Sequence, residues 1–461
     1  MAADPPPART HQGHLPRPGQ LPRRGAHLRH RRRQHLQPDG GARRGEGGGL
    51  LPGRRPQLRC GRRGPWPVRR RLARGGAAHA CVDDRAAPTG RVAFRAAVAA
   101  LRVTFLVPYP PGRSPGQRFR FEQWLRLLPE GAVEADIRPL YGPAAFARLY
   151  EPGGTARKAA QTAAALARRL VQAHVAKRAD VVFVYRGAFV LGPPLLEALL
   201  ERKVPVVYDF DDAIWLGTTS DANALAARLK RPDGVGRIVA GAAATTVGNE
   251  FLAAYAGKFS DRVHVIPTTV DVERYRPQAR TPHELVRVGW SGSPTTSVHL
   301  RTIDGALRRM LDELPVELVV TGDPRFTLPG APRVTVKPWQ ADTEIAEVGA
   351  FDIGLMPLPD DDWSRGKCGF KALLSMALGV PPVVSPVGVN TEIVDDGRNG
   401  FFADGEDAWV AAVGRLVADP ALRARMGDAA RETVVARYSG QQWAPRFREV
   451  LLEARDTGPI R

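Results

Sequence analysis

Phe351-Asp352-Ile353-Gly354-Leu355-Met356 opens the stretch that decides the fold. Pro357-Leu358-Pro359-Asp360-Asp361-Asp362-Trp363-Ser364-Arg365-Gly366-Lys367-Cys368-Gly369-Phe370-Lys371 follows, then Ala372 to Leu378, and then Pro382-Val383-Val384-Ser385. A short apolar run, a polar loop, an apolar stretch of helical length and a second short run spell strand, loop, helix and strand. The same alternation extends outward on both sides. In this half the candidate strands are Val286 to Trp290, Val316 to Val320, Val334 to Val336, Phe351 to Met356, Pro382 to Ser385 and Gly400 to Phe402. Upstream they are Val103 to Val107, Val133 to Ile137, Val181 to Tyr185, Val204 to Tyr208, Ala243 to Val247 and Val263 to Ile266. These runs are apolar throughout, as parallel strands covered on both faces must be. The reading is α/β: two Rossmann-like doubly wound domains in tandem, 101–280 and 281–461. The junction is expected near Arg276 to Glu284, where Pro277 and Pro282 interrupt regular structure. Sheets of this kind bind ligands beyond the carboxyl ends of their strands, so two facing domains share one cleft lined by strand-end loops.

The chain has 461 residues and a formal charge of +20, which by itself suggests a nucleic-acid binder. The first hundred residues hold 22 Arg, no Lys and five acids, a balance of +17, so the remaining 361 carry only +3. With 43% apolar residues, the remainder suits two packed domains and excludes collagen-like, coiled-coil and wholly disordered chains. Cys60, Cys81 and Cys368 fit neither a disulfide framework nor a zinc site. No run reaches the roughly 18 to 20 uncharged apolar residues of a membrane span, and no signal-peptide core is visible. The expectation is a cytoplasmic protein. Residues 1–100, dense in Arg, Pro and Gly, cannot offset the entropy of ordering and are expected to be disordered. As a basic arm the segment suits nucleic acid or anionic lipid. The alternative, favoured by Arg without Lys and the abrupt change at Leu101, is that it is not native and that the protein starts near Leu101.

Two loops of the second half carry candidate chemistry. Gly289-Trp290-Ser291-Gly292-Ser293-Pro294 ends a strand and opens toward a helix. Gly292 and Ser293 suit the close approach of an anionic oxygen, and equally a tight turn with a capping Ser. Arg365, Lys367 and Lys371 fall within seven residues, on a loop and the first turn of a helix whose dipole already favours anions. A diphosphate suits them; so does a solvated basic turn balanced by the three preceding aspartates.

Here the chain resembles the nucleotide-binding half of family-4-like retaining glycosyltransferases of the GT-B fold. The resemblance rests on Gly289 to Pro294, Arg365 to Lys371, Met376 to Ser385, Asn390-Thr391-Glu392-Ile393-Val394 and Asp395 to Phe401, and covers roughly residues 101–455. It implies a nucleotide-sugar donor held through Lys367, Lys371, Gly388 and Val389, with no cofactor, and a glycan or lipid-linked acceptor. One departure stands out. Most members carry two glutamates eight positions apart, where this chain has Gly366 and Leu374. That departure leaves a nucleotide-sugar epimerase or an inactive sugar-binding homologue as an alternative, beside nucleic-acid binding through the arm.

In the first half, Pro108 to Arg120 follows a strand, with Arg118 placed either at the cleft or on the surface. The run Tyr208-Asp209-Phe210-Asp211-Asp212 sets three carboxylates within four residues, costly unless they face water, cations or a substrate. Asp209 or Asp211 is the expected catalytic carboxylate, with Lys367 as the partner of the leaving diphosphate and Asp212 at the cleft. Asp209-x-Asp211 also has the manganese spacing of metal-dependent glycosyltransferases, and a helix-capping role fits Asp211 or Asp212; the reading adopted contains no metal. Asn249 and Glu250 sit on another loop, near the cleft by the family likeness or as a helix cap. Trp339 is expected near the donor base or in packing. From Thr155 to Arg178 runs an Ala-rich helix whose Arg157, Lys158, Arg168 and Arg169 share one sector of the helical wheel, opposite Leu166 and Leu170. It suits a peripheral membrane contact through its basic face, or a solvated helix covering the sheet. The last helix, about 438–455, is expected to cross back onto the first domain.

Overall fold

The computed structural model describes residues 100–149, 153–188, 194–217, 234–279 and 283–460. The basic segment before Ala100 and the centre of the junction, 280–282, lie outside the described residues, and so do the expectations that fall on them.

Among the described residues twelve strands form two six-stranded sheets, every pairing parallel. The first sheet comprises β1 (Leu101–Val107), β2 (Val133–Pro139), β3 (Val181–Tyr185), β4 (Val206–Phe210), β5 (Ala244–Val247) and β6 (Val263–Val265), in spatial order β2-β1-β3-β4-β5-β6. The second comprises β7 (Val286–Ser291), β8 (Val316–Thr321), β9 (Val334–Lys337), β10 (Ile353–Met356), β11 (Pro382–Val384) and β12 (Phe401–Phe402), in order β12-β11-β10-β7-β8-β9. Every strand expected from the sequence is present, with ends moved by a residue or two. The one shift that matters is β4. It starts at Val206 and runs to Phe210, because Asp209 pairs in register with Tyr185 on one side and Thr246 on the other. Asp209 is therefore a strand residue, whereas the sequence reading put it in the loop.

Between the strands run α1 (Gln123–Leu127), α2 (Thr155–Ala176), α3 (Leu195–Glu201), α4 (Gly234–Gly241) and α5 (Glu250–Ala256). In the second half come α6 (Ser297–Arg301), α7 (Asp304–Glu313), α8 (Glu344–Gly349), α9 (Asp362–Arg365), α10 (Phe370–Ala377), α11 (Asn390–Ile393), α12 (Glu406–Ala418), α13 (Pro420–Arg437) and α14 (Gly440–Thr457). Each sheet is buried on both faces. In the second, Val288, Trp290, Leu318 and Ile353 pack with α7 and α12, while Val319, Met356 and Val384 pack with α10 and α13. Among the described residues no helix is long and apolar enough to cross a membrane.

The last helix returns to the first sheet. Ala444, Phe447, Val450 and Leu451 of α14 are fully buried with Val103, Phe105 and Phe183, and the Phe447 ring lies 4.9 Å from Trp124 and 5.5 Å from Phe183. The two chain crossings between halves are tied together, since Val270 N–H donates to Tyr438 O and Gly440 N–H to Val270 O. Truncation of Phe447 empties a ring from this core, so Phe447→Ala is expected to cost about 3 to 5 kcal/mol. Chemical denaturation measures it; a loss below about 1 kcal/mol, within the reach of ordinary substitutions, would show that α14 is not part of that core.

Candidate active site

The sheet orders say where to look. Strand order reverses between β1 and β3 in one sheet and between β10 and β7 in the other, and a crevice opens beyond the carboxyl ends at such switch points. The loops after β1, β3, β7 and β10 therefore define the site.

On the first side, Asp211 and Asp212 lie just beyond β4 and are gathered by Arg186, which directly follows β3. Arg186 Nε donates to Asp211 Oδ1 at 2.8 Å and its Nη2 to Asp212 Oδ2 at 2.5 Å. Tyr185 O–H adds a 2.8 Å bond to Asp211. Arg186 holds a left-handed backbone, φ 60°, which costs a non-glycine residue about 1 to 3 kcal/mol and is stored where surroundings enforce it. Its carbonyl accepts from Tyr208 O–H, which fixes that conformation. The sequence reading missed Arg186. The available signal was an Arg-Gly pair closing an apolar strand. The loop after β1 covers this corner: a Cβ on Gly116 would fall 2.1 Å from Tyr185 Oη and 2.9 Å from Asp211 Oδ2.

On the second side stand Lys367 and Lys371. Lys367 Nζ reaches Asp212 Oδ1 at 2.9 Å across the gap between halves and lies 4.6 Å from the centre of the Trp363 ring. Although burial alone would raise the Asp212 carboxyl, Lys367 and Arg186 hold it below its ordinary value. Lys371, on the first turn of α10, lies 5.5 Å over the Trp290 ring, and no carboxylate within ion-pair distance is found for it among the described residues. Burial, with Lys367 beside it, lowers its ammonium to about 8. Gly292 makes room for that side chain, since a Cβ there would sit 2.7 Å from Lys371 Cε. Burial and these two lysines also lower His299 to about 4, so its imidazole is neutral. The result is a positive recess at a helix N-terminus facing two carboxylates.

Several expected site residues are elsewhere. Asp209 is fully buried and paired with Arg120 at 2.5 Å, and Thr246 O–H donates to the same oxygen at 2.6 Å. Its oxygens are engaged in the core, so it cannot be the carboxylate at the acceptor. Asp209 and Asp211 each answer a different arginine, and so do not form a metal pair. Arg118 is buried and makes a two-bond contact with Glu344, at 2.6 and 3.2 Å, shared with Tyr275 O–H. It latches the halves together and does not line an open cleft. Trp339 Nε1 donates to Glu344 in the same cluster. Arg365 points outward to Asp360 and Asp362, the solvated turn left open by the sequence. Asn249 caps α5 and donates to the Arg365 and Lys367 carbonyls, bracing the second-half loop from the first half. Glu250 is exposed on the first turn of α5. Ser293 is exposed and bonded to Thr295 in its own turn. Gly388, φ 54°, lies so close to Arg365 that a Cβ would meet its Cα at 2.9 Å, while Val389 packs on Gly369. Both hold the shape of the lysine loop.

The two missing glutamates have a packing explanation. A Cβ at Gly366 would lie 2.7 Å from Ala213 Cβ and 2.9 Å from its backbone N, so this close contact leaves no space for a glutamate. Leu374 is buried in the core between α10 and α13. Beside the site, a pocket of about 300 Å³ beyond β10, β11 and β12 carries Asp360, Asp404 and Glu406 on its rim. That rim suits hydroxyls better than phosphates.

Comparison with known proteins agrees with the fold. Residues 292–419 match the family described as Glycosyl transferases group 1. A D-inositol 3-phosphate glycosyltransferase of Corynebacterium urealyticum is 30% identical over 181 residues, covering 39% of this chain and 36% of that protein. One from Xylanimonas cellulosilytica is 28% identical over 250 residues, 48% of this chain and 58% of its own. The chain thus spans between about a third and three fifths of the length of these relatives. Among solved structures, sucrose-phosphate synthase from Thermosynechococcus elongatus superposes with a TM-score of 0.57 at 15% identity, covering 76% of this chain and 98% of that one. Anabaena HepE, solved with UDP and glucose, gives 0.52 at 14% identity, covering 76% and 99%. Residues 292–419 are thus similar to group 1 glycosyltransferases, and the described residues have the two-sheet GT-B fold of these solved structures.

The division between buried and cleft carboxylates is measurable. Asp209→Ala leaves Arg120 buried without a counter-charge and is expected to cost about 3 to 5 kcal/mol or prevent folding. Asp212→Ala, whose partners keep access to water, is expected to fold normally; thermal melts of the two variants compare them, and equal melts would refute the assignment.

Proposed function

We propose that the chain is a retaining, metal-independent glycosyltransferase that moves a sugar from a nucleotide-diphosphate-sugar donor to a hydroxyl of a glycan, a lipid-linked sugar or a small molecule. The observation that carries the reading is Lys371: a half-buried ammonium at the start of α10, with no carboxylate within ion-pair distance among the described residues, beside Lys367 and across from Asp211, Asp212 and Arg186. A diphosphate supplies the anion that Lys371 lacks.

Without donor, the charge of Lys367 is met by Asp212. A diphosphate seated on Lys371 and the α10 amides offers Lys367 a second, denser anion. As the bond to the sugar breaks, negative charge grows on the leaving phosphate where Lys367 and Lys371 already stand, and such preorganised charge contributes several kcal/mol. Asp212 stays ionised through Arg186 even when Lys367 turns away. Held below its ordinary pKa, Asp212 is a weak base. Its role is to orient the acceptor hydroxyl and to stabilise positive charge at the sugar, with Asp211 fixed behind it by Tyr185. The positive recess favours an anionic donor part, and the carboxylate side favours a hydroxyl-rich acceptor.

The proton linkage has a definite sign. Lys371 titrates near 8 when free, and a bound diphosphate raises that value, so donor affinity is full below pH 8 and falls as pH rises through it. Nucleoside diphosphate affinity measured calorimetrically is expected to drop about tenfold from pH 7 to pH 9, one pKa unit being 1.36 kcal/mol. Lys371→Met is expected to flatten that profile; a wild-type affinity constant across the range would sink the assignment. Lys367→Ala is expected to lower turnover by about 10² to 10³ while the fold is retained; near-normal turnover would remove Lys367 from the reaction.

A further inference from the structure

The helix read from the sequence as carrying an outward basic face keeps only part of it outward: Arg157 and Arg168 are exposed, and Arg169 is turned inward. Arg169 of α2 is buried, donating to Val107 O at 2.6 Å and Arg138 O at 2.8 Å, and Arg168 donates to Leu140 O. These guanidiniums occupy the carbonyl ends of β1 and β2. The leucines expected to face the sheet face water instead: Leu166, Leu170 and Val171 are exposed, together with six alanines between positions 156 and 167. No acid occurs on this 22-residue helix.

Its neighbour α3 shows the same inversion. Leu195 and Leu199 are 67% and 57% exposed, while Glu197 and Glu201 are buried. Glu197 accepts from Ala188 N–H, and burial, with Glu197 nearby, pushes the Glu201 carboxyl up to about 8. Of the nine large apolar side chains exposed among the described residues, five lie on these two adjacent helices. Around them the exposed charges are Arg157, Arg168, Lys177 and Arg178 on one helix and its end, and Arg202 and Lys203 after the other. Neither helix exposes a carboxylate.

We infer that the outer face of α2 and α3 docks on an anionic lipid surface. An apolar patch larger than scattered surface residues, rimmed by cations alone, matches the acyl boundary and headgroup charge of such a bilayer. Pairing with a second copy is disfavoured, because a two-fold contact sets this cationic rim against itself. The lipid contact is independent of sugar transfer. It does not involve Lys367, Lys371 or the carboxylates, and it would stand if another reaction were found.

The test is co-sedimentation of the full chain with vesicles of phosphatidylcholine alone or mixed with phosphatidylglycerol. The wild type is compared with Leu170→Glu/Leu199→Glu and Leu170→Ser/Leu199→Ser at one ionic strength, so that the basic N-terminal segment contributes equally to all three. Both double variants replace exposed side chains and are expected to melt like the wild type and to keep its turnover of a soluble donor. Expected is preference of the wild type for the mixed vesicles and a partition coefficient lower by about tenfold or more in both variants, as loss of two inserted leucines implies. Equal partition of wild type and variants overturns the proposal. So does sedimentation velocity without lipid showing a wild-type dimer that the variants disperse, which assigns the face to a second copy.

Discussion

The site depends on one close contact between the two sheets. The backbone of Gly366 lies against Ala213, Cys368 Sγ donates to Asp211 O at 3.1 Å, and Asn249 reaches over to the Arg365 and Lys367 carbonyls. Small residues make it possible: Gly366 has no side chain to hold the loops apart, and Gly248 leaves room for Cys368. Because this contact fixes the loop after β10 against the turn after β4, Lys367 meets Asp212 at 2.9 Å. A second tie, Arg118 with Glu344 and Tyr275, sits on the other side of the gap. Each tie has polar partners, and apolar contact accompanies them: the Phe119 ring lies 4.2 Å from that of Phe370, and Trp363 packs on the first-half core.

The fold was legible because its evidence is local. An all-parallel sheet covered on both faces demands uniformly apolar strands, and runs such as Val181–Tyr185 and Val316–Thr321 satisfy that without reference to anything distant. The site was legible only in part. Lys367 and Lys371 stand out because three cations on one loop have few structural explanations. Asp209 misled because its spacing to Asp211 looked like chemistry, whereas in a strand its side chain entered the core and met Arg120, 89 positions away in sequence. Arg186 was missed for the converse reason. A lone arginine in a turn says nothing until β3 and β4 are paired, and only then do Asp211 and Asp212 fall within its reach. Pairings of this kind are set by strand order, which no window of sequence contains.

Arginine placement shows the same limit. Arg118, Arg120 and Arg169 are all buried, and each solves a different problem: joining two halves, neutralising a core carboxylate, and filling the carbonyl ends of two strands. Arg169 does so without a carboxylate in hydrogen-bond contact, and burial lowers its guanidinium to about 9, with Glu197 acting in the opposite sense. A wheel plot treats any arginine as a solvent marker, so it placed Arg169 outside with Arg157 and Arg168, and set Leu166 and Leu170 on the opposite side, which is exposed.

The departure from the two-glutamate pattern follows from the same geometry. A glutamate at 366 would collide with Ala213, and one at 374 would be a charge inside the core of α10 and α13. Among the described residues, no acid of their own half is in ion-pair contact with the lysines of the loop, the nearby Asp360 and Asp362 being taken by Arg365. Lys367 takes its counter-charge from Asp212 in the other half, and Lys371 has no carboxylate within ion-pair distance among the described residues. Loss of the two acids thus transfers charge balance from within one domain to the space between two. The carboxylate that Lys367 meets lies across the gap, on the turn held in place by Arg186.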